Sequence, residues 1–425
     1  MGLLDPLVAV VVSFCFLGVM LYKRVNLEIT LNATAILLAL LSLDWRNIPN
    51  IAYTTVDLTR EDGLLAISVI LATFGIMWLS QLYKETGEIA KLSESLSRIV
   101  KDPKIVSSVL PAVIGFLPVA GGALMSAPIV DSETEKLKLK PEKKAYVNLW
   151  FRHTIFPVYP LSQVLIVTAA LTQTALFSII LLQIPTVIVM VTVGFLIGFW
   201  KVSYAKDEGK SKASGNTGSE LKSFLLSFSP IMATIVVAVF IDILCCNLSK
   251  QGFDVLVATF AGLAVLAMIS RLSFKMLLKP LESWGIYGVT LAVYGAFLLR
   301  NVMIAAGISG IFKPLVVNGS LNFLILLTVI PAVLGFLTGS PSGAITISVS
   351  ILAGVLTFSS KNAALLYISA YLGYVIAPTH LCFTFTANYF KSPLGKVYKY
   401  VIPSFIITFA SALLVYFLPS QFENA

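Results

Sequence analysis

One segment of this chain occurs twice. Residues 111–128 read PAVIGFLPVAGGALMSAP, and residues 331–348, which lie 220 positions later, read PAVLGFLTGSPSGAITIS. In each copy an apolar run stops at a group of small residues and then resumes. Such a break constrains the fold, because irregular backbone at membrane depth is tolerated only where it is buried in protein or lines a cavity. When the break recurs at corresponding positions of two halves, it indicates a binding site at the interface between them.

The composition places these breaks in a membrane. Of the 425 residues, 57% are hydrophobic and 12% are charged. Apolar runs of about 20 residues, the length of a membrane-crossing helix, recur along the chain and lack the alternating polarity of barrel strands. We therefore predict an all-α polytopic membrane protein. The net charge of +9 is assigned to loops beside the spans, so no nucleic-acid partner is predicted.

About ten transmembrane helices plus two re-entrant hairpins account for the pattern. A segment of 27 residues (104–130) gives at most ~40 Å of helix, too little to cross a core of ~30 Å twice, so it is predicted to enter and return on one side. The hairpins are placed at 104–130 and 321–358. The ten spans are predicted at 3–22, 27–43, 62–83, 145–171, 174–200, 223–244, 253–270, 284–309, 362–390 and 400–418.

Charged segments separate these elements. Residues 84–104 are predicted to form a surface helix whose Leu and Ile side chains face the membrane. Residues 44–61 are predicted to be a polar connection, and residues 131–144 to be exposed to solvent. Residues 206–222, rich in Lys, Gly and Ser, are predicted to be a cytoplasmic linker between a first repeat, 1–205, and a second, 223–425. The apolar N-terminus is interpreted as a retained span rather than a cleaved signal.

The two repeats are predicted to be inverted. Each has five full crossings, and a hairpin does not change sides, so the second half starts from the opposite face. If residues 23–26 are cytoplasmic, the predicted inner segments hold 24 of the 30 Lys and Arg residues and the outer segments hold five. This bias predicts a multi-pass protein of the cell membrane with both termini outside.

Three motifs carry a resemblance to known proteins. GFLPVAGGALMSAPIVD (115–131), GFLTGSPSGAI (335–345) and YVIAPTHLC (374–382) resemble an archaeal and bacterial family of membrane proteins with no assigned function. The whole arrangement resembles the ion-transporter superfamily of secondary carriers. That resemblance implies a scaffold domain, a transport domain that moves like an elevator, and substrate and ions held at the hairpin tips. Dicarboxylate members carry Ser-Asn-Thr at each tip, which this chain lacks, so that specificity is not carried over.

Prolines interrupt two of the predicted spans, at Pro157 and Pro160 in 145–171 and at Pro378 in 362–390. The hairpin tips and the second of these broken spans supply the candidate site. Helix ends within the bilayer leave unpaired backbone groups, whose N–H ends favour anions and whose carbonyls favour cations. The alternative is that small residues there only allow close helix packing. The predicted substrate-binding residues are Gly121, Gly122, Ser126, Arg300, Asn301, Ser340, Pro341, Ser342, Thr379 and His380, and the predicted ion-binding residues are Ala120, Thr338, Gly339, Gly343 and Thr346.

Arg300 is interpreted as the one strongly basic side chain well inside a span. An intramembrane charge costs at least ~2.5–3.5 kcal/mol and is normally paired or functional. We expect Arg300 to be the counter-ion of an anionic substrate, with snorkelling or bonding to backbone carbonyls as the alternative.

Other side chains are interpreted individually. His153 is expected to pack at the membrane interface, while a functional or a structural role is left open for His380. Cys15 and Cys382 are expected to be packing residues, and the cysteines show no metal-binding spacing, so neither a metal nor a disulfide is predicted. Trp45, Trp150, Trp200 and Trp284 are expected in the interfacial belt.

These features predict a secondary active transporter, or permease, for a small anionic, carboxylate-bearing solute, with Na+ or H+ as coupling ion. A cation/proton antiporter or a channel of the same fold is the alternative. A membrane-embedded enzyme is disfavoured, because the chain lacks HExxH, GxSxG and an intramembrane carboxylate pair. No cofactor is expected, the lipid bilayer is the predicted partner, and a homodimer is left open.

Overall fold

The computed structural model describes residues 3–116, 122–202, 217–244, 248, 251–308, 310, 314, 322–353 and 355–419. Within these ranges the regular structure is helical, apart from one isolated β-bridge between Ala353 and Leu356. The prediction of an all-α fold is therefore confirmed for this part of the chain. Its α-helices, numbered in chain order, are α1 (Pro6–Tyr22), α2 (Leu27–Ser42), α3 (Ile48–Thr54), α4 (Glu61–Glu85), α5 (Glu88–Ile99), α6 (Pro103–Gly115), α7 (Ala123–Glu135), α8 (Pro141–Arg152), α9 (Gln163–Thr172), α10 (Leu176–Phe199), α11 (Thr217–Leu244), α12 (Phe253–Ile269), α13 (Phe274–Leu278), α14 (Trp284–Ala305), α15 (Phe323–Leu327), α16 (Val329–Thr338), α17 (Pro341–Leu352), α18 (Ser360–Val375), α19 (Leu381–Tyr389) and α20 (Leu394–Phe417).

Six helical segments of the described chain are long and apolar enough to cross a membrane: α4, α8 with α9, α10, α11, α14 and α20. The other four predicted spans correspond to shorter or broken helices. α1, α2 and α12 have 16 or 17 residues, about 25 Å of helix, and α18 and α19 are separated by a break. A count of ten crossings thus stays a prediction, while the membrane-embedded character is supported by the six long helices.

The helices pack in two groups. In the first, α1 packs on α2, α11 on α12, α2 on α14, and α12 on α4, while α4 and α14 pack on each other. In the second, hairpins α6–α7 and α16–α17 pack on the broken helices α8–α9 and α18–α19, which α10 and α20 flank. The strongest contacts between the groups are those of α4 with α9 and of α14 with α17, and helix α5 adds a bridge by packing on both α6 and α11.

Packing pairs recur between helices whose numbers differ by ten. The α1–α2 pair corresponds to α11–α12, and α6–α7 to α16–α17. The helix α7 packs on α19, and its counterpart α17 packs on α9. Each hairpin thus contacts the broken helix of the other half as well as its own. The sequence repeat at an offset of 220 is accompanied by a repeat in packing.

The segment between α4 and α6 differs from its prediction. Helix α5 buries Ile89, Leu92 and Leu96, and it packs on α6 and α11 rather than presenting these side chains to lipid. Its polar face is held by Arg98, which donates to Glu94 and, at 2.8 Å, to Glu220 of α11. The hydrogen bond to Glu220 and the charge of Glu94 raise the pKa of Arg98. The apolar side chains of α5 therefore pack on protein rather than lipid, and the periodicity of the sequence does not distinguish these two surroundings.

Two further boundaries differ. Helix α7 continues to Glu135, so the first five residues of the predicted solvent-exposed run belong to the hairpin. The predicted polar connection 44–61 contains the short helix α3. Residues 206–216 of the predicted linker lie outside the described residues. Its last six residues, 217–222, form the start of α11.

The belt prediction is wrong for one tryptophan. Trp45, Trp200 and Trp284 are 62–69% exposed, as expected of interfacial side chains. Trp150 is fully buried, and its Nε1 donates to the carbonyl of Met190 at 2.9 Å. Gly194 of α10 gives this indole its space, since a Cβ there would stand 2.5 Å from Trp150 Cδ1. Cys15 also differs, being exposed on α1.

Candidate functional site at the broken helices

The first hairpin ends against a buried arginine. Helices α6 and α7 have 13 residues each, or ~20 Å, which is too short to cross a bilayer. A Cβ added to Gly122, the residue before α7, would overlap the guanidinium of Arg152 and stand 2.7 Å from its Cζ. A Cβ at Gly115, the last residue of α6, would stand 2.6 Å from the Arg152 carbonyl. Both glycines therefore allow the hairpin to close on Arg152.

Arg152 is the last residue of α8, where the first broken helix stops. The chain passes through a 3-10 turn at Phe156–Val158, and α9 starts only at Gln163. Pro157 and Pro160 lack the N–H that a continuous helix needs. Arg152 is 2% exposed and lies inside the apolar segment Pro141–Thr172. Arg300 is therefore not the one strongly basic side chain within a candidate span.

The second hairpin has a tightly capped tip. Helix α16 ends at Gly339, which adopts the left-handed conformation with φ of 60° that only glycine adopts readily. The Ser340 side chain caps α17 by accepting from the N–H of Gly343 at 3.2 Å. The Thr338 hydroxyl donates to the carbonyl of Leu334 at 2.7 Å. The hydroxyls of Thr338 and Ser340, both predicted as ligands, thus also stabilise the turn.

This second tip contacts the second broken helix. A Cβ at Gly339 would stand 2.5 Å from Oγ1 of Thr379, which lies in the break between α18 and α19. Further along the hairpin, Gly335 and Gly373 bring the backbones of α16 and α18 together, since a Cβ at either would overlap the backbone of the other helix. Thr379 is exposed at the surface of the protein, so this tip is accessible.

The two breaks meet at a pair of histidines. The rings of His153 and His380 stand edge to face with centroids 4.7 Å apart, and both side chains are buried. The hydroxyl of Tyr371, on α18, donates to the His153 carbonyl at 2.7 Å, which satisfies a carbonyl that the break of the first helix releases. The expectation that His153 packs at the membrane interface is therefore wrong.

These contacts form one continuous path. Gly122 touches Arg152, whose neighbour His153 touches His380, and the neighbour of His380, Thr379, touches Gly339. The path joins the first tip, both breaks and the second tip. Each half of the chain contributes one tip and one break to it.

A buried polar network lies beside this path and was missed by the sequence interpretation. The hydroxyl of Ser126 donates to Oδ1 of Asn148 at 2.6 Å, and Nδ2 of Asn148 donates to the carbonyl of Ala123 at 2.9 Å and to Oγ1 of Thr386 at 3.3 Å. Ser126, Asn148 and Thr386 are 0% exposed. The network therefore ties α7 and α8 of the first half to α19 of the second.

Three potential metal ligands also converge at the breaks. The side chains of His153, His380 and Cys382 place one donor atom each within 4.8 Å of one another, and all three are buried. The Nδ1 of His153 donates to the carbonyl of Leu149 at 2.7 Å, and Nδ1 of His380 faces the carbonyl of Val375 at 3.5 Å. With Nδ1 protonated, Nε2 carries the lone pair in each ring. The spacing of the cysteines did not predict this cluster, because only one of its three ligands is a cysteine and His153 comes from the first half of the chain.

Nearly the whole chain matches one family model. A model of the family described as "Protein of unknown function (DUF401)" covers residues 7–418. The chain belongs to the DUF401 family. A comparison with curated proteins finds no match. The resemblance to a membrane-protein family of unassigned function is therefore confirmed at the level of family, and the transporter superfamily stays an expectation.

In this DUF401 protein the predicted site residues fall into five sets, of which the last, Arg300 with Asn301, lies away from the tips. Gly122, Gly339, Thr379 and His380 lie on the contact path, with Thr338 and Ser340 shaping the second tip. Ser126 lies in the adjoining network. Pro341, Ser342, Gly343 and Thr346 lie on the first turns of α17, where Thr346 is buried. Ala120 and Gly121 lie outside the described residues.

Arg300 and Asn301 are not brought to the tips. Asn301 donates to Oγ1 of Thr55 at 3.1 Å, and Arg300 is half-buried within electrostatic reach of Asp62. Both lie near the C-terminal end of α14. The second tip lies elsewhere along α14. Its Gly343 packs on Leu27, since a Cβ at this glycine would stand 3.3 Å from Leu27 Cδ1. Glu28, which follows Leu27 in the chain, faces Gly288 near the start of α14. Arg300 is 12 residues past Gly288, or ~18 Å along the helix.

A cavity of about 890 Å³ opens at the same end of the molecule as Arg300. It lies among the start of α4, the end of α9 and the start of α12, and its lining reaches back along α9 to Ile166. Its lining includes four carboxylates, which are those of Glu61, Asp62, Asp242 and Asp254. This end of the protein is therefore acidic, whereas Arg152 makes the path between the tips basic.

Proposed function

We propose that this DUF401 protein is a secondary active transporter that moves a small, carboxylate-bearing anion across the cell membrane. The observation that carries the proposal is the continuous contact path from one hairpin tip through both helix breaks to the other tip. Broken helices that meet within the span of a membrane protein place backbone groups where other protein groups, a water-filled cavity, an ion or a substrate must satisfy them. A purely structural protein has no need for four such ends at one place.

An anion fits the charges at this place. Helices α7, α17 and α19 all begin at the path, at Gly122, Ser340 and His380 respectively. The N-terminus of a helix presents free N–H groups and the positive end of its dipole. Arg152 adds a guanidinium that can bind a carboxylate through two parallel hydrogen bonds. Arg152 therefore replaces Arg300 as the side chain that we propose to hold the substrate at the tips.

The two packing groups support an elevator-type mechanism. The first group, built around α4 and α14, is proposed as the scaffold. The group of hairpins and broken helices is proposed to move against this scaffold, and inverted repeats would allow the site to face each side of the membrane in turn. The strongest contacts between the groups outside α5 are those of α4 with α9 and of α14 with α17, so sliding disturbs little of the interior of either group.

This motion gives Arg300 a proposed role. The second tip now lies level with the start of α14, and Arg300 lies ~18 Å further along that helix. A displacement of this size along α14 would bring the tip to Arg300 in the opposite state. Under the predicted orientation, the second tip now lies toward the cytoplasm, and the Arg300 end, where the acidic cavity opens, faces outside. Na+ or H+ is the proposed coupling ion, with tip carbonyls binding Na+ or His380 accepting H+.

Cation transport is the second candidate, and the acidic cavity favours it. Four carboxylates line the route toward the breaks from the end that carries Arg300, and they would concentrate cations there. The decisive experiment is uptake into proteoliposomes under imposed Na+ or proton gradients, with libraries of labelled carboxylates and of cations. Saturable uptake of an anion that requires a gradient supports the proposal. Gradient-driven uptake of cations alone, or unsaturable flux without a gradient, contradicts it.

A further inference from the structure

We propose that His153, His380 and Cys382 form a binding site for copper in the Cu+ state. The site does not rest on the proposed transport function, since it follows from the ligand atoms themselves. Two imidazoles and one thiolate are the in-plane ligand set of trigonal protein copper sites, and soft thiolate ligands select Cu+. Their donor atoms already lie within 4.8 Å of one another.

The separation fits a metal after a small closure. With metal–nitrogen and metal–sulfur distances of about 2.0 and 2.3 Å, neighbouring ligand atoms stand roughly 3.5 Å apart. The present donors therefore need to approach one another by about 1 Å to hold an ion. All three side chains project from helix ends at the two breaks, namely the end of α8 and the start of α19.

The hydrogen bonds of the histidines are those of metal ligands. Metal-bound histidine almost always donates its second ring N–H to a carboxylate, a backbone carbonyl or water, which holds the ring in place. The Nδ1 atoms of both rings face backbone carbonyls, those of Leu149 and Val375. The Nε2 of His380 is buried and makes no hydrogen bond within the described structure. A buried nitrogen lone pair without a donor is costly, and a bound ion would satisfy it.

The local charge favours a monovalent ion. Cys382 lies in the first turn of α19, with its sulfur beside the two imidazoles. Cu+ bound to one thiolate and two neutral imidazoles is neutral overall, whereas Zn2+ would leave a positive charge beside Arg152. We therefore expect Cu+ to bind more tightly than Zn2+.

Titration of the purified chain tests the site. The background protein carries Cys245→Ser and Cys246→Ser, which remove a competing pair of adjacent thiols, and it is purified through a tag free of His and Cys. Cu+ is supplied under ascorbate and measured by competition with a chromophoric Cu+ chelator, with Zn2+ in a separate arm. We expect one Cu+ per chain, with weaker Zn2+ binding.

Three variants locate the bound ion. Cys382→Ser and His380→Gln are each expected to weaken Cu+ binding at least about tenfold, since even outer groups of a metal site contribute that much. Cys15→Ser, which changes an exposed thiol on α1, is the matched control and is expected to bind as the background does. X-ray absorption of the Cu+-loaded background protein, which requires no ligand variant to fold, is expected to show one sulfur and two nitrogen ligands.

The outcomes are unambiguous. Stoichiometric Cu+ binding that depends on Cys382 and His380 supports the site. No stoichiometric Cu+ binding, binding that survives Cys382→Ser unchanged, a metal environment without sulfur, or tighter binding of Zn2+ than of Cu+ overturns it. Uptake assays are not part of this test, so its failure leaves the transport proposal standing, and the converse also holds.

Discussion

The imidazole of His153 stands edge to face against that of His380, with ring centroids 4.7 Å apart. The two residues are 227 positions apart, one at the break of each half. Their contact is the point at which the two broken helices meet. Each hairpin tip reaches this point through the neighbouring residue, Arg152 on one side and Thr379 on the other.

The hydrogen bond from Tyr371 to the His153 carbonyl is expected to stabilise the meeting of the breaks. Tyr371→Phe leaves that buried carbonyl without its donor, which costs about 1–3 kcal/mol. Thermal unfolding in detergent measures the loss as a lower midpoint. Tyr389→Phe is the control, since Tyr389 is exposed and lies at the end of α19. Equal midpoints for the two variants would show that the bond contributes nothing.

A side chain at Gly122 is expected to displace the Arg152 guanidinium. Gly122→Val should lower the uptake rate of the proteoliposome substrate at least tenfold, which corresponds to about 1.4 kcal/mol, because the new side chain occupies the position of the guanidinium that is proposed to hold the substrate. Gly18→Val is the matched control, since a Cβ at that position of α1 meets nothing within 4 Å. Equal uptake by both variants at equal expression would move the site away from the first tip.

Arg152 is expected to hold the anion through both of its terminal nitrogens. Arg152→Lys keeps the charge and loses the fork, while Arg152→Gln loses both, so affinity should fall in the order Arg, Lys, Gln. Loss of a charged hydrogen bond costs about 1.5–3 kcal/mol, or roughly 10–150-fold in Kd. Substrate Kd is measured by scintillation proximity in detergent.

Arg300→Gln is the comparison variant for the Arg152 substitutions, with substrate Kd as the quantity compared. In the described state it lies at the other end of α14, so Arg300→Gln should leave the Kd of the protein held in this state unchanged and slow only net transport. Weaker binding in Arg300→Gln with normal binding in Arg152→Gln would restore the assignment made from sequence.

A cross-link between the second tip and α2 is expected to stop transport. Gly343 packs directly on Leu27, so cysteines at both positions should be joined by a short bis-maleimide in the described state. If the tip must travel along α14, uptake falls to background after cross-linking, and each single-cysteine variant treated alike keeps its activity. Full uptake by the cross-linked protein would exclude movement of this hairpin against the scaffold.

Equivalent positions of the two halves are expected on opposite sides of the membrane. Lys136 and Thr357 follow the two hairpins at corresponding sites, and both are exposed. In a background with Ser at 15, 245 and 246, a cysteine at 136 should react with an impermeant maleimide only from inside, and one at 357 only from outside. Labelling of both from one side would contradict the inverted repeat.

The sequence by itself determined the membrane class, the repeated hairpins and the broken helices. These follow from apolar length, from the 220-residue offset and from Pro157 and Pro378, all of which act on the local backbone. The short helices of each hairpin, 10 to 13 residues long, are as the break between two apolar runs predicted. Gly339 likewise occupies the turn for which a glycine was expected.

Only the tertiary structure decided which side chains share the site. Arg152 was counted among the basic residues of the predicted inner segments, yet the hairpin glycines close over it and bury it. Trp150 and α5 were predicted to lie at the membrane interface, but Trp150 packs on α10 and α5 packs on α11. His153, His380 and Cys382 carry no common spacing, since they come from two halves folded face to face. Hydropathy reports how far each residue prefers to leave water, but contacts between helices 200 residues apart depend on packing that no local pattern encodes.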